Sequence, residues 1–244
     1  MNTDVYKDAA LSYDFDPLKS VTWRIKDRED WADDVKLHDM RQRTYKAVVR
    51  FMKELQYELT HGGWIDIVDE NNEPLGFSLP VGIASKNAAW CRGGQVIITT
   101  PHKRTLIEKR SRNIVFSPSM IDISVGGHVD AGERPEDTIV REVFEELGLE
   151  AAKGDFKFLE VYKHKGYHPR YKKYGCYFDY VYHLPLKVED PILTLQEEEV
   201  EFAKFLSLPQ LKRLLRYSRL KNLGMLSYNH SFYKKMVQLA GILN

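Results

Sequence analysis

Cysteine is nearly absent. The 244-residue chain carries two, Cys91 and Cys176, which excludes a disulfide framework and a structural zinc site built mainly from thiolates. So few thiols point to a reducing, cytoplasmic setting. Long apolar runs are also missing. No stretch approaches the ~20 apolar residues that span a bilayer, and the opening MNTDVYKDAALSYDFDP lacks the basic segment and apolar core of a secretory signal. No membrane partner is expected. Charge of one sign is not in excess: 36 Lys and Arg against 35 Asp and Glu leave a net charge of +1. That balance excludes a uniformly basic nucleic-acid coat and an acidic tail, so a charged ligand must be met by local patches. Repeats and low-complexity tracts are lacking too. What remains is ordinary globular composition, 43% hydrophobic and 29% charged, in a chain long enough for one large domain with extensions.

Residues 1–20 are polar with scattered aromatics and read as an irregular arm. From Asp30 to about Thr60 the period is helical: Leu37, Met40, Tyr45, Val48, Val49, Met52, Leu55 and Leu59 recur at three- and four-residue steps. His61-Gly62-Gly63 ends that helix. Strands are expected at Trp64–Asp69 and at Met120–Val125, the latter ending in Gly126-Gly127. Gln95–Thr100 and Thr105–Lys109 are expected to form a hairpin across Pro101-His102-Lys103-Arg104. A helix from about Pro135 to Leu147 is followed by strands at Phe156–Tyr162 and Tyr174–Leu184 flanking a basic loop. A short strand at Phe202–Leu206 comes next. Ser207 caps a helix that has Pro209 in its first turn and runs to about Arg219, and a last helix covers about Ser231–Gly241.

Residues 127–149 read GHVDAGERPEDTIVREVFEELGL. Glu142, Glu145 and Glu146 stand at i, i+3 and i+4, on one face of the expected helix. Three crowded carboxylates repel one another, so the arrangement calls for cations, and Mg²⁺ is the natural one because it takes hard oxygen ligands and shares them with phosphates. Ile139, Val143 and Leu147 recur every four residues on another face, suited to a sheet. Pro135 suits the first turn, Gly148 the left-handed C-terminal cap, and Gly126-Gly127 lets backbone approach a metal or phosphate closely.

The spacing of Gly127, Glu133, Arg141-Glu142, Glu145-Glu146 and Gly148 matches the Nudix box at every fixed position, and the chain resembles the Nudix hydrolase superfamily. The resemblance implies an α/β/α sandwich with a mixed sheet over residues 62–206, preceded by a helical N-terminal extension (1–61) and followed by C-terminal helices (207–244) packed on it. It implies hydrolysis of a phosphoanhydride in a nucleoside diphosphate linked to another moiety, X, or a similar diphosphate, with Mg²⁺ as cofactor and Mn²⁺ as the alternative. Glu142, Glu145, Glu146 and Glu133 match metal-ligand positions, Glu142 also a position that acts as base in some members, and the Gly127 position supplies a carbonyl. Arg141 matches a residue that orients the carboxylates. The family often places a further ligand or base on a loop near residues 196–201. Glu199 is the residue chosen there, against a solvated charge run.

The flanks VDENNEPLG, WCRGGQVII, LIEKRS and ISVGGHVDAGE narrow the resemblance to the branch related to isopentenyl-diphosphate isomerase, over about residues 64–206. An isomerase needs a cysteine where Gly126 stands and histidines in the region of Ala84–Arg92, which has none. Hydrolysis is therefore the expected reaction. Arg110 and His128 are candidate phosphate contacts. The segment YKHKGYHPRYKKYGCY (162–177), with Lys172 and Lys173, combines cations with tyrosine faces, which suits a nucleotide or an RNA end; edge-strand lysines that block aggregation are the competing explanation. Two other functions stay open, a non-catalytic nucleotide- or RNA-binding regulatory protein and an enzyme acting on RNA 5′ ends. The long N-terminal helix is compatible with a homodimer contact or a lid.

Overall fold

Alternation of apolar residues at period two, broken by two helical stretches at the C-terminus, builds a sheet with two buried faces. The computed structural model describes residues 35–61, 63–114, 117–123, 125–168, 172–221 and 230–243; the expected arm at 1–20 and the start of the first helix lie outside them. The chain divides into two units, residues 1–62 and 63–244. The first contains helix α1 (Val35–His61), on which Tyr45, Val49 and Met52 are half-buried while Phe51 and Tyr57 are exposed.

In the second unit, β1 (Trp64–Val68) and β2 (Pro74–Pro80) form an antiparallel pair, followed by the short helix α2 (Val81–Lys86). The main sheet contains β3 (Cys91–Thr99), β4 (Thr105–Arg110), β5 (Ile121–Ile123), β6 (Val125–His128), β7 (Lys157–His168), β8 (Lys173–Pro185) and β9 (Val200–Leu206). Three helices complete the unit: α3 (Pro135–Leu147), α4 (Leu208–Lys221) and α5 (His230–Leu243). β3 and β8 run parallel and the other described pairs antiparallel, so the sheet is mixed.

Successive residues of one strand feed opposite layers. Val96, Ile98 and Leu106 join Ile139, Val143 and Leu147 of α3 on one face. Ile97 and Ile107 join Leu211 of α4 and Phe232, Tyr233, Met236 and Ala240 of α5 on the other. The result is an α/β/α sandwich. Burying each such aliphatic side chain stabilises it by about 1.5–3 kcal/mol relative to leaving it exposed, which is why both helical layers are fixed by the sheet's alternation.

The expected hairpin is looser than its sequence suggests. β3 and β4 pair only at Thr99↔Thr105 and then diverge, because β6 takes the freed edge of β3 (Gln95↔Gly126, Gly93↔His128) and β5 the freed edge of β4 (Glu108↔Asp122). The strand expected at 120–125 is thus two strands serving different neighbours, and Gly126-Gly127 lies within the second. The "basic loop" is also corrected: residues 163–168 and 173–177 belong to β7 and β8, whose tyrosines and lysines alternate at strand period. β2 and α2 escape a pattern reading because β2 is bounded by two prolines and broken by Gly76, and α2 is only six residues long. Ser207 stands at the N-cap of α4, its carbonyl accepting the Leu211 N–H at 2.9 Å, and Gln210 in the first turn reaches back, its Oε1 receiving the Ser207 backbone N–H at 2.8 Å and the Ser207 hydroxyl at 3.0 Å.

Candidate active site

α3 is set by local chemistry. Pro135 opens it, Glu136 and Asp137 in the first turn complement the helix dipole, and Gly148 closes it in the left-handed region (φ 65°), its N–H bonding Phe144 O at 2.8 Å. With Ile139, Val143 and Leu147 docked on the sheet, the three glutamates emerge beside the wedge between β3 and β4. Their burial is graded. Glu145 is 47% exposed at the side chain and Glu142 13%, while Glu146 is almost wholly buried at 3%.

Arg141 ties this edge together. Its guanidinium donates to Glu142 Oε1 at 2.9 Å, to Glu145 Oε2 at 3.1 Å and to Glu133 Oε2 at 3.1 Å. Glu133 also accepts from the buried Thr138 hydroxyl at 2.7 Å. Burial works to raise Glu133, but Arg141 and Thr138 outweigh it and hold its carboxyl below the ordinary value. Burial raises Glu142 to about 7 in spite of Arg141.

Glu146 meets a residue that pattern reading passed over. Glu108 of β4, 2% exposed, lies against it; each carboxyl has a buried Oε2 without a hydrogen-bond partner. Burial, then the nearby Asp122, lifts Glu108 to about 8. Burial, then Glu108 itself, lifts Glu146 well above the carboxylate range. The two carboxyls crowd one buried space, where burial above all holds both toward the protonated form. Asp122, paired with Glu108 across β4–β5, is raised to about 6 by burial.

Asp122, Arg141 and the three α3 glutamates open onto a cleft of about 620 Å³, whose lining does not include Glu108. Glu142, Glu145, Glu146 and Arg141 line it from α3, Gly127 and His128 from β6, Arg110 from β4, and Glu199 from the loop before β9. The Glu199 backbone is held there by Ser111 N–H to Glu199 O at 2.7 Å and Glu199 N–H to Gln196 O at 2.9 Å. Gly127 is pressed against the glutamates: a Cβ there would come within 2.0 Å of Glu142 Oε1. Gly127→Ala is therefore expected to push Glu142 aside and to lower kcat by roughly tenfold or more, with the variant still folded by circular dichroism; an unchanged kcat would show that Glu142's position does not matter. His128 hydrogen-bonds Tyr177 OH at 3.1 Å, and burial holds its pKa down, so the ring is neutral at neutral pH. Lys172 and Lys173 lie at the start of the β8 arm and Glu133 lies behind Arg141, so these three are not on the cleft lining.

Among the described residues, no three His, Cys, Asp or Glu side chains are already grouped as a metal site, since Arg141 holds Glu133, Glu142 and Glu145. The donor set nonetheless fits a hard divalent cation. It consists of carboxylate oxygens, two of them buried without partners, beside a glycine whose missing side chain leaves room at Glu142.

The model of the NUDIX domain matches residues 93–224, just over half of the chain. The chain belongs to the Nudix family. It is similar to an uncharacterized Nudix hydrolase of Nostoc sp. at 31% identity over 51% of this chain and 70% of that protein. It is likewise similar to an uncharacterized Nudix hydrolase of Pseudomonas aeruginosa at 30% identity, covering 57% and 75% of the two chains. The crystal structure of DR0079 from Deinococcus radiodurans aligns with a TM-score of 0.49 at 22% identity, over 63% of this chain and 89% of that one. This Nudix protein is a hydrolase of acid anhydrides, acting on pyrophosphate bonds. No helix among the described residues is long and apolar enough to cross a membrane.

The Nudix box led directly to the α3 glutamates. It did not lead to Glu108, Asp122, His164, Tyr177 or Asp179. A signal for Glu108 existed, because in LIEKRS it shares strand parity with Leu106, a core residue. Asp179 likewise shares parity with the core residue Val181 in CYFDYVY.

Proposed function

We propose that this Nudix protein hydrolyses the pyrophosphate bond of a small nucleoside-diphosphate derivative with the help of Mg²⁺, Mn²⁺ being the alternative. The observation that carries the reading is the buried Glu108–Glu146 pair, two carboxyls without partners on their inner oxygens, facing Glu142 beneath an open cleft. Structural carboxylates are rarely buried together at such cost without a cation. Glu142, Glu145 and Glu146, with the Gly127 carbonyl, would hold the ion. When bound, it supplies neutralisation of phosphate charge and acidification of the attacking water.

The chain's own groups account for the rest. Arg141 keeps Glu142 and Glu145 extended toward the cleft and competes with a cation for them. Arg110 and neutral His128 are placed to donate to phosphate oxygens. Glu199 lines the same cleft as the α3 glutamates, its loop pinned by Ser111 and, through Gln196 N–H to Glu146 O at 3.2 Å, by α3 itself, where a carboxylate can take a proton from water. Free Cys91 and Cys176, the first bonding the carbonyl of the second at 3.7 Å, support a reducing, cytoplasmic setting.

A panel of diphosphates incubated with Mg²⁺, with products read by mass, tests the reading and fixes the bond cleaved. Turnover of at least one member is expected, whereas retention of ligand without cleavage across the whole panel favours a binding protein. The RNA reading has weaker support, because Lys163 is turned inward over the Trp90 ring at 4.6 Å and onto Glu70 O. If RNA is the substrate, neutralising Lys172 and Lys173 together should weaken binding and flatten its salt dependence; no change is expected.

A further inference from the structure

One side of the cleft carries none of the carboxylate machinery. Beyond β3, on the side away from β4, β8 contributes Tyr177 and Asp179, β7 contributes His164, and α5 contributes Phe232. His164 and Asp179 form a buried pair, Nε2 to Oδ2 at 2.5 Å, with 7% and 4% of their surfaces exposed. The strand register places His164 opposite Tyr177 and Tyr162 opposite Asp179, so the pair bonds diagonally across β7–β8. The imidazole is stacked on Tyr162 (centroids 5.7 Å apart, 29°) and packed by Phe232 at 5.2 Å and Tyr177 at 5.4 Å. Wedged in this way, it fixes one Asp179 oxygen. The other, Oδ1, faces Gly93 of β3, where a Cβ would come within 2.2 Å of it.

Lacking a side chain, Gly93 lets that oxygen sit where a Cβ would otherwise stand, on the cleft wall. Two packed apolar residues would tie β7 to β8 at least as well as a buried hydrogen-bonded polar pair, so an acidic side chain beside a ligand cleft needs another reason. A carboxylate only accepts hydrogen bonds, so it selects a group that donates them. Half-buried Tyr177, its ring centroid 5.5 Å from that of His128, adds an aromatic face beside the acceptor. Hydroxyls on the edge of a ring and C–H groups on its face match this pairing. An isoprenoid chain does not, because it would desolvate Asp179 and return no hydrogen bond.

We propose that Asp179, fixed by His164, is a specificity-determining residue that accepts hydrogen bonds from the hydroxyls of a sugar ring joined to the diphosphate. This rests on the pyrophosphohydrolase reading for where the diphosphate lies. Two rings have that chemistry, the sugar of X and the ribose of the nucleoside, and the test separates them.

Hydrolysis in Mg²⁺ and calorimetric binding are compared for ADP-glucose, for the cyclohexyl ester of ADP, and for ADP-glucose with a 2′,3′-dideoxyribose. The natural protein should prefer ADP-glucose over one analogue by about 100-fold. Preference over the ester assigns the site to the sugar of X; preference over the dideoxy compound assigns it to the ribose. Asp179→Asn should reduce that preference to within about threefold by losing affinity for ADP-glucose. Gly93→Ala, which crowds Oδ1 without changing the carboxyl, should reduce it likewise and guards against misfolding of the first variant. As a positioning residue, His164 should tolerate Gln, which keeps a donor to Asp179, and not Phe, which keeps only the ring; a purely packing role predicts the reverse. The proposal is overturned by a preference unchanged in Asp179→Asn and Gly93→Ala, by no preference in the natural protein, or by no binding of any of the three compounds. An Asp179-dependent binding preference without cleavage would leave the sugar site standing and remove the hydrolysis reading.

Discussion

Glu146→Gln is expected to lower kcat by roughly a thousandfold or more while leaving the metal-free protein as stable as before, or more so. Both halves follow from burial. Glu146 is 3% exposed and presses its carboxyl against Glu108. A neutral amide of the same shape keeps the packing and the contact with Glu108 but removes a charge that burial and Glu108 already disfavour. It also replaces an ionisable oxygen ligand by an uncharged amide, so the thermal stabilisation that Mg²⁺ would give on the proposed reading should vanish along with turnover. Steady-state kinetics and melting curves with and without Mg²⁺ check this. A variant that still turns over at near-native rate would take α3 out of the mechanism; one that melts much lower without cation would make Glu146 a structural residue.

The metal-free protein should lose stability as pH rises from about 5 to 8, the reverse of ordinary carboxylate behaviour. Glu142, Glu108 and Asp122 have folded-state values of about 7, about 8 and about 6, against ordinary values of 4.5, 4.5 and 3.8. Between the ordinary and the raised values the folded chain holds protons that the unfolded chain has released. Stability is therefore fully present below the ordinary values and is lost as pH rises through the raised ones. For a coupled buried cluster the loss is on the order of 3 kcal/mol, or roughly 5–10 °C in Tm. On the proposed reading Mg²⁺ would bind the ionised carboxylates, so its stabilising effect should grow over the same interval. Melting temperatures across this pH range, with and without Mg²⁺, decide the matter: a flat or rising metal-free curve would mean that these carboxyls are not held protonated.

Helix α3 was legible because everything that makes it is local. The proline at its start, the glycine at its end, the four-residue apolar spacing and the i, i+3, i+4 glutamates act within a few turns. Glu108 showed only in its parity with Leu106, which marks the face it shares but not what lies on that face until β4 is known to lie beneath α3. The His164–Asp179 pair depends on the β7–β8 register, which a one-residue slip would abolish by turning every side chain to the opposite face. The wedge that opens the cleft depends on which edges β5 and β6 occupy, and no residue in either strand announces its partner.

The family, the acidic helix and the apolar stripe that docks it are legible in the chain alone, because each is a spacing among contiguous residues. Which carboxyl is buried, what opposes it and what lines the far wall of the cleft emerge only from the folded sheet. Those outcomes depend on residues 86 to 101 positions apart in the chain meeting across one sheet, and burial, the quantity that sets the charge of each group, exists only once they have met.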